Sequence, residues 1–173
     1  AGPPRCTSGP AGLARGRPRP LDAAAMTQAA PSTGSARVHR LGLRVYAADT
    51  DASGIVHHSQ YLVFAERART EMLRDFDIAA ETLGDVAQGY WVVARARIDF
   101  RQPARLDDWL TIESHLEGVR AASCHVRQRV LRGDELLVDI GVEVAWLGPD
   151  GRPRRQPWRA RMEALAAQAE PGA

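Results

Sequence analysis

The stretch Asp49-Thr50-Asp51-Ala52-Ser53-Gly54-Ile55-Val56-His57-His58-Ser59-Gln60-Tyr61 sets two carboxylates, two imidazoles and a glycine between two differently patterned segments. Upstream, Leu43-Arg44-Val45-Tyr46 ends an apolar segment over residues 38–46 that reads as a strand. Downstream, Leu62, Ala65, Met72, Leu73 and Phe76 recur at helical spacing, which predicts a helix over residues 59–76 with Ser59 as its N-cap. Arg67 and Glu71 stand at the i,i+4 spacing of an ion pair. Asp77 is placed to cap a shorter second helix through Leu83, stopped by Gly84.

From Tyr90 onward the period changes to two. Ala94, Ala96, Ile98 and Phe100 oppose Arg95, Arg97 and Asp99, and Pro103 breaks that strand. Leu110, Ile112, Ser114 and Leu116 alternate with Thr111, Glu113, His115 and Glu117, and after Gly118 the set Cys124, Val126, Gln128 and Val130 alternates again. Arg132-Gly133-Asp134 reads as a hairpin turn before the longest alternation, Leu136 to Trp146. Gly148-Pro149-Asp150-Gly151 is a further turn, and a last helix is expected from Arg159 to Ala169. Consecutive strands on short turns make an antiparallel sheet, and the long early helix must cover one face of it. The expected class is α+β.

At 173 residues, 45% hydrophobic and 25% charged, the chain has the make-up of one globular domain. That domain is expected over residues 38–165. It follows a Gly-, Pro-, Ala- and Arg-rich tail over 1–37, read as disordered, and precedes a short tail over 166–173. A net charge of +2 gives no reason to expect a nucleic-acid partner. All 23 basic residues are arginine, so lysine-centred covalent catalysis is excluded. Cys6 and Cys124 lie far apart in unlike contexts, which fits a reduced compartment. No apolar run approaches the roughly 20 residues that span a bilayer, and no secretory leader is visible. The expectation is a cytoplasmic protein without an integral membrane segment.

Asp51 is the first candidate for chemistry. A carboxylate in a strand-to-helix turn can serve as nucleophile or general base, with the helix N-terminus nearby to hold an oxyanion. The alternative is that Asp49 or Asp51 simply caps the turn, and Asp49, nearer the strand, suits that better. His57 and His58 are neighbours whose side chains diverge on any regular element. Neither the i,i+4 zinc spacing nor a cysteine cluster accompanies them, so no metal and no cofactor is expected. His58 suits an orienting or acid/base role at the helix entrance, or a histidine bonded to backbone. Glu66, two turns along the helix, faces either the site or solvent. Ser53-Gly54 lacks the flanking residues of a nucleophile elbow. Arg95, Arg97, Arg101 and Arg105 are a solvated edge or a contact for nucleotide phosphates.

Val45-Tyr46, Asp49-Thr50-Asp51, Gly54-Ile55-Val56, His58, Tyr61-Leu62 and Phe64, taken in order, resemble the hotdog-fold thioesterase signature. The run Glu66 to Arg74 is similar to the 4-hydroxybenzoyl-CoA thioesterase-like branch, and most similar to its Tol-Pal-associated acyl-CoA thioesterases; Pro103 to Asp108 also matches. The resemblance spans roughly residues 38–163. It implies a hotdog fold, an antiparallel sheet wrapped around a long central helix. It also implies a homodimer or homotetramer with its sites at subunit interfaces, and hydrolysis of a short-chain or aromatic acyl-CoA, with acyl carrier protein as an alternative carrier. By the same resemblance Asp51 and His58 are the catalytic pair, the His58 amide polarising the carbonyl. Gly54, Val56, His57, Tyr61 and Glu66 border the substrate. Two positions depart from the group, which usually has tyrosine where this chain has Ala47 and His57. The competing readings are a hotdog acyl-thioester dehydratase and a non-catalytic module that binds acyl thioesters or acyl carrier protein.

Overall fold

Helix and sheet meet through a small set of inward side chains in a computed structural model that describes residues 38–78 and 87–167. The elements are β1 (His39–Arg44), α1 (Gln60–Asp75), β2 (Tyr90–Phe100), β3 (Trp109–Val119), β4 (Ser123–Arg132), β5 (Glu135–Leu147) and α2 (Arg159–Ala167). The five strands form one antiparallel sheet in the order β1-β3-β4-β5-β2. The tail over 1–37 with Cys6, the expected second helix beyond residue 78 and residues 168–173 lie outside the described residues.

The period-two readings of β3 and β4 hold side chain by side chain. Leu110, Ile112, Ser114 and Leu116 are buried, as are Cys124, Val126, Gln128 and Val130. They meet Phe64, Ala65, Ala68 and Met72 of α1 in one core, where each large apolar side chain contributes about 1.5–3 kcal/mol. Leu62, expected on the buried face, is exposed; Tyr61 and Phe64 take the inward places instead. On β5 a register shift at Val130/Leu131 buries both Leu137 and Val138, so simple alternation misses Leu137. Gly133 (φ +59°) makes the β4–β5 hairpin.

Two local expectations are corrected, and the end of α1 is defined. Glu71 pairs with Arg74 and Glu66 with Arg69, both at i,i+3, in place of the Arg67–Glu71 pair. Asp77 stands at φ 55°, with its N–H on the Arg74 carbonyl (3.0 Å) and the Ile78 N–H on the Leu73 carbonyl (2.9 Å). That is the Schellman end of α1, with Asp77 as its left-handed closing residue. On β2, Ala94, Ala96 and Phe100 are exposed, because β2 is an edge strand and its register shifts between Val93 and Arg95.

Candidate active site

After β1 the chain makes a single 3-10 turn, Ala47–Asp49. The Asp49 carboxylate accepts the Tyr46 N–H at 2.8 Å, and the Thr50 hydroxyl donates to the Ala47 carbonyl at 3.0 Å. Asp49 therefore holds the turn closed. Asp51 sits one step further on with its side chain in solvent. Its Oδ1 accepts both the Ser53 N–H, at 2.8 Å, and the Ser53 hydroxyl, while Oδ2 has no partner among the described residues. The Ser53 hydroxyl, and after it the Ser53 amide, holds the Asp51 carboxyl below the usual aspartate range. Asp51 is thus ionised at neutral pH with one oxygen free.

The chain returns through Gly54, whose φ of +74° belongs to the left-handed region that glycine adopts without a Cβ penalty. The Asp51 N–H donates to the Ile55 carbonyl at 2.9 Å, and Val56, buried, donates to the Ala104 carbonyl at 2.9 Å. The turn is pinned at its base and free at its tip.

His57 and His58 stack instead of diverging, with ring centroids 4.1 Å apart, because they lie in a turn outside any regular element. His57 Nδ1 meets the Ser59 hydroxyl at 2.8 Å. Ser59 keeps the expected N-cap position, yet its hydroxyl caps nothing: it is held by His57, and its backbone is already helical (φ −71°, ψ −24°). The His58 N–H has no partner among the described residues, just before the positive end of α1.

Asp51, Gly54, Val56, His57 and His58 thus share one turn. Tyr61 lies beneath it in the core, its hydroxyl accepting the Ala104 N–H at 2.9 Å and its ring edge-on to Phe64 and Phe100. Burial pushes its phenol above the ordinary value, so it stays protonated. Glu66 stands apart, about 12 Å from His58 at 1.5 Å per helical residue, and borders a separate cavity of about 240 Å³ between α1 and the sheet. Among the described residues no cluster of three or more His, Cys, Asp or Glu side chains stands ready to hold a metal ion.

Two contributors escape the sequence reading. Ser53 clamps Asp51 from i+2, a local Asx-type spacing that could have flagged it. Ala104 serves both Val56 and Tyr61 through its backbone, and nothing in its side chain announces that.

A profile described as the thioesterase superfamily matches residues 53–138, beginning two residues after Asp51. The acyl-CoA thioesterase YbgC of Haemophilus influenzae is 42% identical over 103 residues, covering 60% of this chain and 76% of that one. The acyl-CoA thioester hydrolase YbgC of Escherichia coli O6:H1 is 38% identical over 100 residues, 58% of this chain and 74% of that one. The crystal structure of a probable thioesterase from Bartonella henselae superposes with a TM-score of 0.63 at 38% identity, covering 69% of this chain and 99% of that chain.

Proposed function

The chain belongs to the thioesterase superfamily and has its hotdog fold, and from that premise we propose how its turn performs acyl-CoA hydrolysis. The enzyme is an acyl-CoA thioesterase: thioester and water give free acid and CoA. In this reading Asp51 supplies the attack and the His58 amide receives the oxyanion. One observation carries it: an ionised carboxylate with a free oxygen shares a turn with an unpartnered N–H at a helix entrance.

The chemistry needs little else. When Oδ2 attacks the carbonyl carbon, the π pair moves onto oxygen, where the His58 N–H stabilises it; removing one such donor typically costs about 3 kcal/mol. Collapse breaks the C–S bond and expels the CoA thiolate, a good leaving group, and water then hydrolyses the mixed anhydride. Alternatively Asp51 takes a proton from the attacking water, and the oxyanion and leaving group are the same. The acyl group is a short chain or an aromatic acid, carried by CoA or by acyl carrier protein. Gly54, Val56, His57 and Tyr61 border it, Val56 and Tyr61 from beneath, whereas Glu66 stands apart at the α1 cavity. Ala47 puts a methyl group where the relatives' group usually has a tyrosine, so Asp51 and His58 carry the reaction between them.

We assign the working form to a homodimer or homotetramer in the cytoplasm. Supporting the first, β2 has no strand on its outer edge among the described residues, with Val93 49% and Phe100 53% exposed. Supporting the second, Cys124 is a buried free thiol. Light scattering at the monomer mass would remove the oligomer. The mechanism is tested by thiol release from acyl-CoA with the Asp51→Asn variant; near-normal kcat/KM in a folded variant would take Asp51 out of it.

A further inference from the structure

The cavity beside α1 is built unlike a packing defect. It measures about 240 Å³ and is walled by apolar side chains of the helix and sheet, among them Leu73, Val126 and Val144. An apolar cavity of about 150 Å³ already accepts benzene, so this one has room for a small hydrocarbon body and a polar head. Of the described lining side chains only Glu66 and Arg69 are charged. Burial pushes the Cys124 thiol, also in the wall, up to about 12, so it adds no charge.

Arg69 is fixed in that wall from below. Its Nη1 donates to Gln128 Oε1 at 2.6 Å, and Gln128 is itself anchored to the Ala65 carbonyl and the Ser114 hydroxyl, each at 2.9 Å. The Arg69 side chain is 9% exposed, whereas Glu66, its only carboxylate partner among the described residues, is 61% exposed. A buried cation whose counter-ion lives in solvent has a replaceable partner, because an exposed carboxylate gains little from the pair. The wall also offers an idle donor: the indole N–H of Trp91 is buried with no hydrogen-bond partner among the described residues.

We propose that this cavity is a binding site for a small apolar carboxylic acid, whose carboxylate takes the place of Glu66 on Arg69 while its hydrocarbon body fills the apolar wall. The occupant belongs to the class of acid that thioester hydrolysis releases, and none of residues 51–58 lines the cavity. The proposal rests on the thioesterase reading only for that choice of ligand class.

Calorimetric titration of the full chain with hexanoate and with hexan-1-ol tests it without any hydrolysis, so its failure is distinct from failure of the thioesterase assay. Hexanoate is expected to bind at least tenfold more tightly than the alcohol. Glu66→Gln, a change on the exposed side of α1, is expected to tighten hexanoate about fivefold and leave the alcohol unchanged. Arg69→Met is expected to erase the difference between the two ligands; should it not fold, the first two measurements still decide. Equal affinity for acid and alcohol, no binding of either at 10 mM, or weaker hexanoate binding to Glu66→Gln would each overturn the proposal.

Discussion

The two halves of α1 treat their polar groups in opposite ways. At its entrance, Asp51 Oδ2 and the His58 N–H are left open beside water, and local bonds only fix their neighbours. At its middle, Gln128 joins Arg69, the Ala65 carbonyl and Ser114 in a buried network. A buried donor left unmade costs about 1–3 kcal/mol, whereas one facing solvent costs almost nothing. The groups proposed to react therefore sit at the wet end of the helix, and the buried middle carries stability.

That contrast breaks if mutations at the two ends have the same consequence. The largest effect is expected from Asp51→Asn: kcat/KM falls roughly 10²–10⁴-fold while the melting temperature stays near that of the parent. Gln128→Ala is the mirror image. It leaves Arg69 Nη1 and the Ser114 hydroxyl without their buried partner and costs about 3 kcal/mol of unfolding free energy in denaturant melts, with activity per folded molecule retained. Third comes His58→Ala, which keeps the amide and so loses about tenfold in turnover, less than the Asp51 change; an equal loss would shift the weight to the imidazole. Ser53→Ala is smallest and sharpens the picture through pH. Asp51 must be ionised to act, so activity is present above its folded pKa and lost as pH falls through it. Removing the hydroxyl raises that pKa, and the acid limb of kcat/KM moves to higher pH.

How far the sequence carried follows the same division. The inward sets of β3 and β4 were legible because each is a strict alternation over a sheet buried on one face. Even the polar members Ser114 and Gln128 fell at their right places. Their partners were not legible, since an arginine at i+3 from a glutamate reads as surface until the fold buries it. Leu137 escaped because a register shift adds a residue that periodicity cannot count. At the turn, residue types and order pointed to Asp51 and His58. The stacking of His57 on His58, and the Ser59 hydroxyl withdrawn from capping, depend on backbone angles that composition does not encode.

Ala104 has a consequence for how the chain can change length. Its carbonyl holds Val56 and its N–H holds the Tyr61 hydroxyl, so one residue sets the spacing between the turn of Asp51 and the helix behind it. Connections between strands ordinarily tolerate insertions. The link from β2 to β3 is an exception, a ruler whose marks the site reads. One residue added after Pro103 would shift both contacts at once, reaching Asp51 without touching it.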